Sequence, residues 1–233
     1  MTRLYRTRDG STTLYSERYA QTYASAHGAL SEAREVFLGG SSVAQKLAEG
    51  REVRVLEVGF GTGLNFFVTA AACQAQPAAK LSYMALEHTL LDAPTVRALG
   101  YGPLGADPLV EHYLRWREAL PAPAGLCMFE DERVRLELLV GDALTQTLPT
   151  ESFGAVYHDA FSPEVNPDLW SEVFLKVLVR ALVPGGTLVS YCVQGAVRRR
   201  LGALGLSVSK RPGPRGGKRE VLFAQKPLEP GLP

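Results

Sequence analysis

VRVLEVGFGTGLN, residues 53–65, runs from a short branched-aliphatic segment straight into glycines at alternate positions, Gly59, Gly61 and Gly63, and then into Leu64 and Asn65. Such a run reads as a strand, a tight turn and the start of a helix. Glycines at that turn let the backbone swing to positive φ and let a ligand approach the main chain, while the following helix offers unpaired N–H groups. Two common phosphate loops are excluded. Leu64 stands where a dinucleotide fingerprint needs its third glycine, and no GxxxxGK[ST] occurs. Glu57, just before the turn, would repel a pyrophosphate but could hold an ammonium group.

Outward from this unit, short apolar runs at 53–58, 81–87, 134–140, 155–159, 187–192, 206–210 and 220–225 alternate with helical stretches. That alternation predicts an α/β chain with a mainly parallel sheet covered on both faces. The last two runs are joined by KRPGPRGG, too short for a crossover helix, so they form an antiparallel hairpin. A mostly parallel seven-stranded sheet closed by such a hairpin resembles the Rossmann-like class I fold of S-adenosylmethionine-dependent methyltransferases. Before the first strand, ALSEAREVFLGGSSVAQKLAEG (29–50) reads as two helices broken at Gly39-Gly40. Asn166 and Pro167 are expected to open a helix whose buried face carries Leu169, Trp170, Val173, Phe174, Val177 and Leu178. The long segment 92–133, with Trp116, is expected to line a substrate cleft. The domain reading is an N-terminal extension with substrate-side helices (1–50), a Rossmann-like domain (51–226) and a flexible tail (227–233).

A chain of 233 residues, 46% of them hydrophobic, suffices for one domain with a large core. No run of about eighteen apolar residues is present to span a bilayer, and the first residues lack an apolar signal core, so a cytoplasmic protein is expected. Cys73, Cys127 and Cys192 form no paired or metal-binding spacing and read as reduced, buried thiols; no metal site is expected. The net charge of +1 hides an imbalance, because residues 198–219 hold eight basic residues and no acid. That patch suits a phosphate backbone, or else is a solvated basic face.

Acids end three successive strands: Glu57, Glu87 and Asp142, the last followed by Ala143. Glu87 is placed to accept hydrogen bonds from ribose hydroxyls, and Asp142 stands where the methyltransferase pattern puts a group near adenine. Each acid alone could end its strand merely to stay solvated. Together with the glycine loop (Gly59, Phe60, Gly61, Gly63, Asn65) they favour S-adenosylmethionine over a nicotinamide.

Several longer stretches go further: YAQTYASAHGALSEAREVFLGG (19–40), EVGFGTGLNF (57–66), VGDAL (140–144), DAFSPEVNPDLW (159–170), PGGTLVSYCVQGAVRRRL (184–201) and GGKREVLF (216–223). On these the chain resembles the methyltransferase part of the tRNA 5-methylaminomethyl-2-thiouridine biosynthesis family (MnmC/MnmD type). The resemblance implies methyl transfer from S-adenosylmethionine to the amine of 5-aminomethyl-2-thiouridine at the tRNA wobble position. It also implies a stand-alone enzyme, since the chain is too short for the flavin-dependent domain of the bifunctional relatives. A separate flavin-dependent oxidoreductase, or other wobble-uridine modification enzymes, would then be partners alongside tRNA. The family carries a basic pair near Gly125, where this chain reads Gly-Leu-Cys-Met.

The same resemblance places Asp159 against the incoming amine and next to the cofactor, as electrostatic anchor and proton acceptor. His158 is a candidate proton relay, or a packed strand-end histidine. Phe161 and Pro163 form an apolar wall for the base, or a rigid turn. Tyr23, Ser25, His27, Glu32 and Arg34 belong to a lid or clamp, which without the resemblance is an amphipathic helix with a polar entry. Arg198 to Arg200, Lys218 and Arg219 are expected at tRNA phosphates, with Glu220 pairing among them, while Trp170 reads as core. Two other readings remain: a small-amine methyl- or aminopropyl-transferase, and a non-catalytic tRNA- or protein-binding module.

Overall fold

A computed structural model describes residues 2–104, 107–120 and 122–228; most of the expected tail, 229–233, lies outside them. The chain opens with a small antiparallel sheet, β1 (Thr2–Arg6), β2 (Thr12–Ser16) and β3 (Gln21–Thr22). No strand is expected from sequence before the two helices: Thr13, Leu14 and Ser16 of β2 are buried, while every residue of β1 is exposed. Helix α1 (Ala29–Glu32) continues as a π-helical stretch, Ala33–Leu38, and after the Gly39-Gly40 turn comes α2 (Val43–Ala48).

The main body then alternates β4 (Glu52–Val58), α3 (Leu64–Gln74), β5 (Lys80–Glu87), α4 (Ala93–Ala98) and α5 (Asp107–Glu118). Next come β6 (Gly125–Asp131), β7 (Val134–Val140), β8 (Phe153–His158), α6 (Glu172–Ala181), β9 (Leu182–Ser190), α7 (Gly195–Ala203), β10 (Ser207–Pro212) and β11 (Glu220–Gln225). Strand order is β10-β11-β9-β8-β4-β5-β7-β6. Strands β7, β5, β4, β8 and β9 are mutually parallel, whereas β11 is antiparallel to both β9 and β10. The chain steps from β4 toward β5 and β7, then returns to β8 and β9 on the other side. The carboxyl ends of β4 and β8 therefore flank the topological switch point, where open α/β sheets bind ligands.

Among the described residues the sheet has eight strands, not seven. The extra strand β6 pairs antiparallel with β7, inside the segment expected to line a cleft. Only Cys127 and Phe129 of this edge strand are buried, and Leu126 and Met128 point to solvent, so its sequence lacks the continuous apolar run of the inner strands. Trp116 packs on Tyr113 and Phe129, with ring centroids 5.3 and 5.6 Å away, and is core, not cleft. Around it Phe66, Phe67, Tyr83 and Tyr113 form a web of edge contacts, each adding about 0.5–1.5 kcal/mol beyond area burial.

The opposite face of the sheet is covered by Trp170 and, from α6 and α7, by Phe174, Leu175, Leu178 and Leu201. Here the sequence reading needs two corrections. Asn166 makes no capping bond and Pro167–Trp170 is a single 3-10 turn; Ser171 is the cap of α6, its Oγ accepting from Phe174 N at 3.2 Å. That break rotates the helix, so Val173 is 78% exposed and Leu175 and Val179 take the buried positions. The Pro184-Gly185-Gly186 segment is an irregularity within β9, between the pairings Phe153 with Leu182 and Ala155 with Thr187. The three cysteines are unpaired and buried. Among the described residues no helix is long and apolar enough to cross a membrane, and no group of His, Cys, Asp or Glu could hold a metal ion.

Candidate active site

The glycine turn after β4 runs through positive φ at Gly59 (+88°) and Gly61 (+51°). A Cβ at Gly59 would meet the Asp159 carbonyl oxygen at 2.7 Å, and one at Gly61 would meet the Tyr23 ring at 3.1 Å. Only glycine lets β4, the strand end of β8 and the N-terminal segment converge so closely. Their convergence encloses one side of a cavity of about 600 Å³, within the range of small-molecule sites.

Its floor is an acid network. Asn65, in the first turn of α3, donates from Nδ2 to Glu57 Oε1 and to Asp159 Oδ2, both at 2.8 Å. Glu57 is fully buried and does not itself line the cavity; the expected direct contact with a cofactor amine is corrected to a supporting position behind Asn65. Burial pushes the Glu57 carboxyl up to about 8, the Asn65 and Tyr83 side chains opposing the shift. Glu87 accepts from Gly61 N at 2.8 Å and from Thr89 N at 3.0 Å, so its carboxylate is held against the glycine turn; burial raises its pKa. Asp142 caps the short turn Ala143–Thr145 by accepting from Leu144 N and, with Ala143, lines the cavity.

Asp159 follows β8 and faces the cavity. Burial, then the charges of Glu32 and Glu57, hold its carboxyl well above the usual carboxylate range, against the Asn65 bond and the Lys218 charge. Glu32 lines the same cavity, accepts from Ser25 N at 2.9 Å and is raised to about 6, chiefly by burial. Phe161 stacks on Tyr19 at 4.3 Å and meets Tyr23 edge-on at 5.2 Å. Gln21 and Ser162 bond reciprocally, side chain to side chain at 2.7 Å and backbone N to Gln21 Oε1 at 3.3 Å, fastening the N-terminal sheet beside the DAFSP turn.

The remaining expected residues divide. Phe60, Gly61, Asn65, Glu87, Tyr23 and Glu32 come together on the wall, as does Phe161. Ser25, His27 and Pro163 stand off it; Ser25 acts through its backbone, and His27 and Arg34 are exposed. His158 is corrected from candidate relay to core: it is fully buried on the far face of the sheet, stacked on Trp170 at 4.0 Å and 9°. Its Nε2 lies 2.9 Å from the Leu169 carbonyl, and burial lowers its pKa to about 4. The pleat explains this, since successive side chains in a strand take opposite faces and Asp159 has the other one.

Much of the expected phosphate patch is engaged within the protein. Arg198 Nε donates to Val193 O at 3.2 Å and Arg200 to Trp170 O at 2.8 Å, while Lys210 pairs with Glu220 at 2.6 Å. Lys218 turns toward the site, its ammonium 4.0 Å from the centre of the Tyr191 ring. Arg199, Arg215 and Arg219 are exposed. Sequence reading assigned no role to Arg18 or Tyr19, both on the cavity wall. Tyr19 opens the matching stretch 19–40, but its partner Phe161 is far away in sequence and spacing offers no signal of the stack.

Among the described residues the wall carries five acids, Glu32, Glu87, Asp142, Asp159 and Asp168, against the guanidinium of Arg18. That donor set repels phosphates and suits a cationic ligand: the ammonium and sulfonium of S-adenosylmethionine fit it, and Glu87 and Asp142 stand at adjacent strand ends where a nucleoside can be gripped. A doubly covered parallel sheet with a glycine turn and an acid-lined cavity at its switch point defines a Rossmann-like cofactor-dependent transferase.

Comparison with known proteins narrows that class. Residues 108–227 match the sequence model of a family described as S-adenosyl-L-methionine-dependent methyltransferase, and the chain belongs to that family. It is 37% identical over 223 residues to the tRNA 5-methylaminomethyl-2-thiouridine biosynthesis bifunctional protein MnmC of Cupriavidus metallidurans, covering 91% of this chain and 32% of that protein. The chain thus spans about a third of the length of the curated relatives it matches. The crystal structure of MNMC2 from Aquifex aeolicus superimposes with a TM-score of 0.80 at 30% identity, over 100% of this chain and 73% of that one. Spermidine synthase from Thermotoga maritima shares the fold, with a TM-score of 0.51 at 13% identity, over 99% of this chain and 81% of that one.

Proposed function

We propose that the protein methylates the exocyclic amine of 5-aminomethyl-2-thiouridine at the wobble position of tRNA, giving 5-methylaminomethyl-2-thiouridine. The observation that carries this reading is the placement of Asp159 on the cavity wall, held by Asn65, beside the Phe161 and Tyr19 rings and with Glu32 on the same wall. The sequence likeness to the MnmC proteins, whose name carries tRNA 5-methylaminomethyl-2-thiouridine biosynthesis, supplies the substrate.

S-adenosylmethionine supplies an electrophilic methyl: the N–C bond forms as the C–S bond breaks, sulfur keeps the electron pair, and the nitrogen sheds one proton. The chain's own residues orient the amine and take that proton. A carboxylate with an ordinary pKa would hold the amine protonated and unreactive. Asp159, raised by burial and by Glu32 and Glu57, lies closer to the amine in basicity and serves as acceptor at less cost. Glu57 and Asn65 position it without touching substrate. Phe161, Tyr19 and Tyr23 form the apolar wall on which the uracil ring rests and from which water is excluded. Glu87 and Asp142 grip the ribose and adenine of the cofactor. We place the remaining partners, tRNA and a flavin-dependent oxidoreductase acting one step earlier, on the same reading.

The test is mass spectrometry of tRNA nucleosides from a strain lacking the gene: the 5-aminomethyl form accumulates and the methylated form disappears. Unchanged methylaminomethyl levels reject the assignment. Activity of the purified protein separates tRNA from a small amine, since only a polyanionic substrate gives a steep loss with rising salt.

A further inference from the structure

We propose that the N-terminal sheet is a second RNA-binding surface, in which Arg3, Arg6 and Arg8 meet the phosphates of the strand flanking the target nucleotide. The inference rests on the tRNA reading above and extends it to a part of the chain that no site residue accounts for.

Arg3, Arg6, Arg8 and Arg18 all lie within residues 2–18 and are all exposed. Arg3 lies 4.9 Å from the centre of the Tyr15 ring and Arg18 5.3 Å from that of Tyr19. Asp9, the acid nearest in sequence to Arg8, is fully committed elsewhere. Its Oδ1 accepts from Thr7 Oγ1 at 2.7 Å, Ser11 N at 3.0 Å and Ser11 Oγ at 2.6 Å, and its Oδ2 from Ser31 N at 3.0 Å and Ser31 Oγ at 2.8 Å. Burial works against its ionised form, but those bonds prevail and hold the carboxyl well below the usual range. The acid staples the β1–β2 turn to α1 instead of neutralising the arginines.

The staple also makes the surface rigid. With Gln21 fastened to Ser162 and Tyr23 N bonded to Leu14 O at 2.8 Å, the sheet cannot drift from the cavity mouth. Thr2, Ser16, Arg18 and Tyr19 form part of the cavity wall. Arg6 shares the face of β1 that carries Thr2, while Arg3 takes the other face, against the Tyr15 ring, so the arginines line both faces of the edge strand that starts at the cavity. At that junction the Arg18 guanidinium lies 5.3 Å from the Tyr19 ring centre, and Tyr19 stacks on Phe161. A layered guanidinium and aromatic pile beside exposed arginines is the pattern by which proteins hold an unstacked single strand. The patch at 198–219, by contrast, spends several of its charges on carbonyls and on Glu220.

The test compares wild type with the triple variant R3E/R6E/R8E, none of whose positions lines the cavity, using tRNA bearing 5-aminomethyl-2-thiouridine and the free nucleoside as substrates. The expected result is a KM for tRNA raised at least tenfold, with nucleoside turnover and the unfolding temperature near those of wild type. A milder triple alanine variant should lower the slope of log binding constant against log salt by about 2, at ~0.7 per single-strand phosphate contact. An unchanged tRNA KM and salt slope in both variants overturns the proposal, including where the arginines instead serve an acidic protein partner. Failure of wild type to methylate either substrate overturns the tRNA reading itself and is distinguishable from that result.

Discussion

Asn65 joins two acids: one amide nitrogen donates to both Glu57 and Asp159 at 2.8 Å. The helix α3 thereby fixes the strand end that carries the reacting group, and a single side chain couples the fold to the chemistry. Asn65→Leu leaves two buried carboxylate oxygens without that donor, which costs on the order of 2–4 kcal/mol of stability. Asp159→Asn keeps the volume and removes the acceptor. Cofactor affinity in that variant should stay within a few-fold of wild type while turnover falls by about 10²–10⁴. Calorimetry with S-adenosylmethionine alongside a methyl-transfer assay checks both; comparable turnover in Asp159→Asn removes it from the mechanism.

Glu57 makes stability depend on pH in a defined direction. Its carboxyl is raised from an ordinary 4.5 to about 8 by burial, so between those values the folded protein holds a proton that the unfolded chain has lost. Stability therefore falls as pH climbs from about 4.5 to about 8. Glu57→Gln cannot ionise, and its unfolding temperature should vary less with pH across that window than wild type does. Parallel thermal melts from pH 5 to pH 8.5 decide the point, and coincident slopes for the two proteins would count against a protonated Glu57.

His158 acts through packing. Lowered to about 4 by burial, it is neutral over the working range and must acquire charge only in acid, so its contribution to stability is lost as pH falls from 6.5 toward 4. His158→Gln removes the stack on Trp170 and should cost about 2–3 kcal/mol. The pH profile of turnover above pH 5 should keep its shape, and a displaced limb in that profile would restore His158 as a relay.

The parts readable from sequence were those coded by local pattern. Apolar runs marked the inner strands, alternate glycines marked the ligand turn, and KRPGPRGG marked the hairpin, because each feature is complete within a few residues. Strand β6 escaped because an edge strand buries only one thin face, leaving Leu126 and Met128 exposed, and the pattern fades accordingly. The stack of Tyr19 on Phe161 and the two hydrogen bonds between Gln21 and Ser162 span far-apart segments, so no spacing rule points to them. The split between His158 and Asp159 was decided by the pleat: adjacent residues at a strand end cannot both face one cavity, and the sequence alone does not say which one does.

Two glycines should respond to alanine in opposite senses. Gly59 sits at φ +88°, and a Cβ there would lie 2.7 Å from the Asp159 carbonyl oxygen, a backbone atom that can give way only by moving β8. Gly59→Ala should therefore lose about 1–3 kcal/mol through backbone strain alone and more through the clash, with cofactor affinity reduced at least tenfold. Gly202, within α7, has no neighbour inside 4 Å of an added Cβ. Gly202→Ala should instead gain about 0.5–1 kcal/mol from the helical preference for alanine, with cofactor binding untouched. Chemical denaturation and calorimetry on the pair measure both signs. If Gly59→Ala binds S-adenosylmethionine as wild type does, the glycine turn is not where the cofactor meets the main chain.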